Sequence, residues 1–284
     1  MKIPQLLTKV LTDIGEPGPY RFVMGRGGDT AVSVKVVAKR RDLFAKIHEN
    51  ASLLMCEQAA LTALSSFVKT PRVVSCSEID GCGVLIMEYL QIHPPLTDPD
   101  WHALGRALAG LHGQSECEGP FGFDMDNYIG GSLQRNEHLS SWRDFFVQRR
   151  LGPQLELAWG LPESARRHVE RVIARINVWL PADPPAALLH GDLWSGNLGL
   201  QGGEPVFYDP ACYYGDPQAD LAMMSLFGSV PDSFYLAYQG HLPDAEQQNT
   251  WRVYHLYHLL NHFNLFGSAY ASSVERVARQ LLLL

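Results

Sequence analysis

One stretch of the chain, LLHGDLWSGNLGL followed by PVFYDPA, combines residue types and spacing that suit phosphoryl transfer. His190, Asp192 and Asn197 stand as His-x-Asp-x-x-x-x-Asn, and Asp209 follows Asn197 by twelve residues at the end of an apolar run. Such a reaction needs one carboxylate to orient a hydroxyl and accept its proton. It also needs a second carboxylate and an amide oxygen to hold Mg2+ against nucleotide phosphates. On this reading Asp192 is the catalytic base, and Asn197 and Asp209 are the metal pair. A polar turn whose side chains only cap backbone groups draws on the same residue types. Four matched positions between strand-like runs favour the chemistry.

The same chemistry needs a lysine on a strand to meet the α- and β-phosphates of ATP, and a helix glutamate to hold it. All six lysines (Lys2, Lys9, Lys35, Lys39, Lys46 and Lys69) fall in the first third of the chain. Lys46 in FAKI sits at the end of a strand-like run, and Glu57 lies eleven residues further on in a helix-forming segment. Lys35 in VSVKVV is the rival. Gly27 and Gly28, in the turn MGRGGDTAVS, allow backbone amides to approach anionic oxygens closely. GVLIMEYL ends in Met87, Glu88, Tyr89 and Leu90, where backbone groups of Glu88 and Leu90 could meet an adenine edge while Met87 closes the pocket. His255, His258 and His262 recur at helical spacing, but no carboxylate or cysteine shares their turns, so they read as packing or solvated residues.

These residues need a frame to hold them. At 284 residues the chain can form one large domain or two lobes around a cleft. Its 46% hydrophobic and 19% charged content excludes disorder and fibrous classes. A net charge of −7 argues against nucleic acid as the partner. No apolar run is long enough for a membrane span, and the first residues carry no signal-peptide pattern, so a cytoplasmic protein with no membrane partner is expected. Five cysteines without a Cys-x-x-Cys pair suggest reduced thiols and no disulfide framework.

Residues 20–47 read as an antiparallel meander, followed by a helix over 51–65 and the strand-like RVV and GVLIMEYL. QIHPPLTDPDW then reads as a connection. Helical spacing recurs over 101–112, 163–180, 220–227, 251–266 and 272–284, and short strands over 186–208 flank the polar loop. The expected fold class is α+β, with a small β-rich ATP-binding lobe over 1–90 and a larger, mainly helical catalytic and substrate-binding lobe over 91–284.

Taken together, FAKI…LMCEQAALTAL, LIMEYL, LGRALAGLH, FGFDMDNYIGGSLQRN, SWRDFFVQRRLGPQLELA, LLHGDLWSGN, FYDPACYYGDPQADLAM and LYHLLNHFNLFG resemble the fructosamine kinase or ketosamine-3-kinase family over nearly the whole chain. The resemblance implies a bilobal protein-kinase-like fold related to the aminoglycoside and choline phosphotransferases. It implies ATP and Mg2+ as cofactors, and phosphorylation of the 3-hydroxyl of a small-molecule ketosamine or a glycated protein as a deglycation step. A monomer or weak dimer is expected. The resemblance also places Asn127, Gln134, Asn136 and Trp194 beside the acceptor sugar. The chain departs from the family pattern at Pro217 and Gln218, at Asp29 where some members carry a redox-switching cysteine, and at Leu54, where phenylalanine is usual. The alternatives are a kinase of another small hydroxyl metabolite, aminoglycoside-like or choline-like, and a nucleotide-binding pseudokinase regulator.

Overall fold

The computed structural model describes residues 2–25 and 31–283, so Gly27, Gly28 and Asp29 lie outside the described residues. Helix α1 (Ile3–Asp13) precedes β1 (Arg21–Met24), β2 (Val32–Val37), β3 (Asp42–His48), α2 (Ala51–Leu64), β4 (Val73–Ile79) and β5 (Cys82–Glu88). The strands form one antiparallel sheet in the order β1-β2-β3-β5-β4.

Strand periodicity decides what each face of this sheet does. Leu43, Ala45 and Ile47 of β3 join Val34, Val36, Val84 and Ile86 in a core closed by Leu6, Leu7, Val10 and Leu11 of α1. Burying each such side chain contributes about 1.5–3 kcal/mol relative to exposure. The opposite face carries Leu85 and Met87 against Leu53, Leu54 and Leu61 of α2. Lys46 has the parity of Phe44, so it leaves the sheet on the α2 side. Helix α1 is not among the elements expected above, although its apolar residues recur at helical spacing. Asn50 starts α2 by accepting the Ser52 backbone N–H. Leu54 is fully buried, and Glu57 on the same helix meets Lys46 of β3.

The connection to the rest of the chain is tied down where His93 and Leu200 exchange backbone hydrogen bonds of 2.9 Å each. Beyond it come α3 (Asp98–Ser115), the hairpin β6 (Asn127–Ile129) and β7 (Ser132–Gln134), and α4 (Trp142–Phe146). A π-helical turn (Val147–Leu151) joins α4 to α5 (Gly152–Leu157), and α6 (Glu163–Ala174) follows. Two two-stranded pieces then matter for the site: β8 (Ala187–Leu189) with β11 (Tyr213–Gly215), and β9 (Leu198–Gln201) with β10 (Glu204–Phe207). Helices α7 (Gln218–Leu226), α8 (Asp232–Gln239), α9 (Ala245–Phe266) and α10 (Ala271–Leu282) complete the chain.

The helix ends differ from the periodicity for local reasons. Helix α3 begins at Asp98 because Thr97 and Asp100 form a capping box, and α9 begins at Ala245 because Asp244 caps the Gln247 N–H. Helix α6 stops at Ala174 and gives way to a 3-10 turn at Ile176–Val178. The β6–β7 hairpin, the 142–157 helical run and α8 are additional to the elements read from the sequence. No helix among the described residues is long and apolar enough to cross a membrane.

Candidate active site

Lys46 is the centre of the arrangement. Its ammonium donates to Glu57 Oε1 at 2.7 Å and to Asp209 Oδ1 at 2.6 Å. Burial alone would lower the Lys46 pKa, but the charges of Glu57 and Asp209 outweigh it and hold the pKa above its ordinary value. The rival Lys35 is instead paired with Asp42 at 2.8 Å and lies over the Tyr89 ring. One cation between two carboxylates leaves surplus negative charge at this point.

Asp209 reaches Lys46 from the turn after β10 with φ 58°, a left-handed conformation that Asp tolerates better than most residues, at a cost of about 1 kcal/mol. That turn is pinned by the Tyr208 N–H donating to Asn197 O at 3.0 Å. Asn197 Nδ2 donates to Asp192 O at 2.9 Å and to Asp192 Oδ2 at 3.2 Å. Its amide oxygen accepts no hydrogen bond among the described residues, and Asp209 keeps a side chain 43% exposed. Two hard oxygen donors beside surplus negative charge fit Mg2+, which takes one or two protein carboxylates and completes its shell with phosphates and water. No group of three or more His, Cys, Asp or Glu residues that could hold a metal occurs among the described residues.

Burial and the charge of Asp209 raise Asp192 to about 7, with the Asn197 hydrogen bond acting the other way. A carboxylate tuned there is suited to take a proton near neutral pH. His190 supports the loop instead of titrating. Its Nδ1 accepts the Asp192 N–H at 3.3 Å, its Nε2 lies 3.0 Å from Tyr208 O, and burial lowers its pKa. Gly191 (φ 81°) is required, since a Cβ there would lie 2.0 Å from Ala211 O.

Several residues that shape the site went unassigned in the sequence reading. Asp220 on α7 accepts the backbone N–H groups of His190 (2.7 Å) and Gly191 (2.9 Å) and contacts His112 Nε2 at 3.2 Å. A lone carboxylate inside the apolar ADLAM helix was the available signal. Asp216 accepts from Tyr254 Oη, and Gln218 accepts from Trp251 Nε1 at 2.8 Å, so the departure at Gln218 serves as a bridge to α9.

Asn127, Gln134 and Asn136 are 3%, 2% and 0% exposed, and their amides are engaged within the protein. Asn127 Nδ2 donates to Cys212 O, and Gln134 Nε2 donates to Asn127 Oδ1 and Ala211 O. Tyr257 Oη donates to Gln134 Oε1 at 2.6 Å. Arg150, buried between the Phe145 and Tyr213 rings, donates to Asn136 Oδ1 at 2.7 Å. These three residues therefore hold the hairpin and the 211–212 backbone instead of offering open groups to a sugar. Trp194, by contrast, is 37% exposed and covers Gly196, whose absent Cβ makes room for the indole.

At the end of β5 Met87 is buried. The Glu88 N–H is not open to an adenine edge, because it donates to Arg72 O, and the Glu88 carboxylate accepts the Arg72 N–H. Tyr89 N–H is engaged by Asp42 O. The Leu90 N–H donates to nothing among the described residues. His255 contacts Ala222 O and Ser225, and His258 is buried, in keeping with packing roles.

A family profile described as fructosamine kinase matches residues 16–283. A protein named probable ketoamine kinase in Synechocystis is 38% identical over 278 residues, covering 93% of this chain and 92% of that protein. The solved structure of a candidate fructosamine-3-kinase from Thermobifida fusca is 28% identical with a TM-score of 0.88 and covers 100% of both chains. A thermostable mutant of aminoglycoside phosphotransferase APH(4)-Ia, solved with AMP-PNP and hygromycin B, is 14% identical with a TM-score of 0.71. It covers 98% of its own chain and 100% of this one, a likeness of fold alone.

Proposed function

The chain belongs to the fructosamine kinase family, and on that premise we propose that it transfers the γ-phosphoryl group of ATP to the 3-hydroxyl of ketosamines. It is a phosphotransferase with a protein-kinase-like fold. The observation that carries the finer reading is the meeting of Lys46, Glu57 and Asp209 beside the linked pair Asp192 and Asn197.

On this proposal each residue has a task. Lys46, held by Glu57, meets the α- and β-phosphates, and residues 1–90, with Gly27, Gly28, Met87, Tyr89 and the backbone of Glu88 and Leu90, bind the nucleotide. Asn197 and Asp209 would hold Mg2+, which when bound offsets charge on the phosphates. Asp192 orients the acceptor hydroxyl and takes its proton. Residues 91–284 carry the acceptor, with Trp194 offering a ring face to the sugar and Asn127, Gln134 and Asn136 positioning the hairpin behind it.

Phosphorylating O3 replaces a poor hydroxide leaving group with phosphate next to the C2 carbonyl. The enolised adduct can then expel phosphate from C3, and water hydrolyses the resulting imine at C1 to an aldehyde and the free amine, which is the basis of a deglycation role on free ketosamines or glycated proteins. We place this activity in the cytoplasm, where ATP is abundant and cysteines stay reduced. Turnover of ATP against a panel of ketosamines and unmodified alcohols, with the product phosphate located by NMR, tests the reading. Phosphate on O3 of ketosamines supports it, and transfer only to unmodified alcohols overturns it.

A further inference from the structure

Helices α7, α8, α9 and α10 border a solvent-open cavity of about 610 Å³ that shares no lining residue with the Lys46, Asp192 and Asp209 cluster. Its size falls within the range of small-molecule sites, roughly 300–1,000 Å³. One wall is apolar and aromatic, with the Tyr235 and Trp251 rings stacked at 5.7 Å. The other end carries Arg252 and Arg276, and neither guanidinium forms an ion pair among the described residues. Arg252 donates only to the Asn249 side chain, and Arg276 makes no hydrogen bond among the described residues. The Tyr235 hydroxyl likewise has no hydrogen-bond partner among them.

Asp232 is the one carboxylate among the lining residues, so two guanidinium groups face a single negative charge within a chain whose net charge is −7. His255 forms part of the floor, and burial together with the two arginines holds it down to about 4, so it stays neutral. Arg252, Arg276, Tyr235 Oη and the Gln280 amide supply more donors than a carboxylate needs. The three terminal oxygens of a phosphate ester call for that many donors, and guanidinium forks suit those oxygens. A stacked aromatic wall beside them suits the carbon skeleton of a sugar.

We propose that this cavity binds a small phosphate monoester of a sugar, with Arg252 and Arg276 on the phosphate and Trp251 and Tyr235 against the carbon skeleton. The proposal does not depend on the kinase reading, because it concerns equilibrium binding at a separate place.

Isothermal titration with fructose 6-phosphate as probe tests it, run beside fructose and inorganic phosphate, on the wild type, Arg276→Gln, Arg252→Gln and Lys46→Ala. Wild type and Lys46→Ala are expected to bind the ester alike, and each arginine variant to bind it at least tenfold more weakly. Because Arg276 is exposed, Arg276→Gln keeps the test valid if Arg252→Gln does not fold. Absence of binding to the wild type overturns the site. So does loss of binding in Lys46→Ala alone, undiminished binding in Arg276→Gln, or inorganic phosphate binding as tightly as the ester.

Discussion

Lys46 Nζ and Asp209 Oδ1 lie 2.6 Å apart although 163 residues separate them in the chain. That contact fastens the β-sheet to the turn after β10 and brings the lysine and one proposed metal ligand into a single cluster. An ATP-derived acylating probe should therefore label Lys46 above the other five lysines, with excess ATP protecting it. Preferential labelling of Lys35, which the structure pairs with Asp42, would refute the assignment.

Glu57→Gln keeps the shape of its side chain and removes one of the two charges that balance Lys46. A buried charge pair broken on one side costs about 3–5 kcal/mol, lessened here because Asp209 still pairs with the ammonium. Thermal melts should show a lower Tm, and ATP affinity should fall as the lysine swings toward Asp209. An unchanged ATP affinity would remove Glu57 from the nucleotide site.

Gln134→Ala should act through positioning. It leaves Asn127 Oδ1, Ala211 O and Tyr257 Oη without their partner, and each unsatisfied buried group costs about 1–3 kcal/mol. Tm should drop and kcat should fall more than the KM for ketosamine changes, because the altered backbone at Ala211 follows Asp209. A raised KM with normal Tm and kcat would instead make Gln134 a direct sugar contact.

Acid should destabilise the fold through buried histidines. Burial, aided by the charges of His262 and His255, pushes His258 down to about 3. The unfolded chain takes up this proton from about pH 6.5 downward while the folded one does not, so stability is full above 6.5 and falls toward pH 4. The expected slope is about 1.4 kcal/mol per pH unit for the group. Denaturant melts at pH 7.5 and 5 should show a smaller pH dependence in His258→Gln than in the wild type; equal dependence would contradict the shift.

That Lys46, Glu57, Asp209, Asp192 and Asn197 would come together was legible, because the proposed phosphoryl transfer asks for these residue types at these spacings. Lys46, Asp192, Asn197 and Asp209 stand within such patterns, whereas the face of the sheet that carries Lys46 came from the register of β3 with β5. Asp220, Arg150 and Tyr257 were not legible, because each acts through a partner from a different element. Arg150 meets the Tyr213 ring, and Asp220 meets the backbone at His190. The burial of Asn127, Gln134 and Asn136 was hidden for the same reason. In sequence they form a polar, Gly-rich stretch, and only Cys212, Ala211, Tyr257 and Arg150 convert it into an enclosed network.

The roles of the two aspartates can be separated directly by measuring ketosamine phosphorylation and Mg·ATP binding in Asp192→Asn and Asp209→Asn. Asp192→Asn should bind Mg·ATP as the wild type does and lose roughly 10²–10⁴ of its turnover, the share a general base supplies. Asp209→Asn should lose metal-dependent nucleotide binding as well. Near-normal phosphorylation by Asp192→Asn, or a wild type that binds ATP and transfers phosphate to no ketosamine or simple alcohol, would contradict the proposed mechanism.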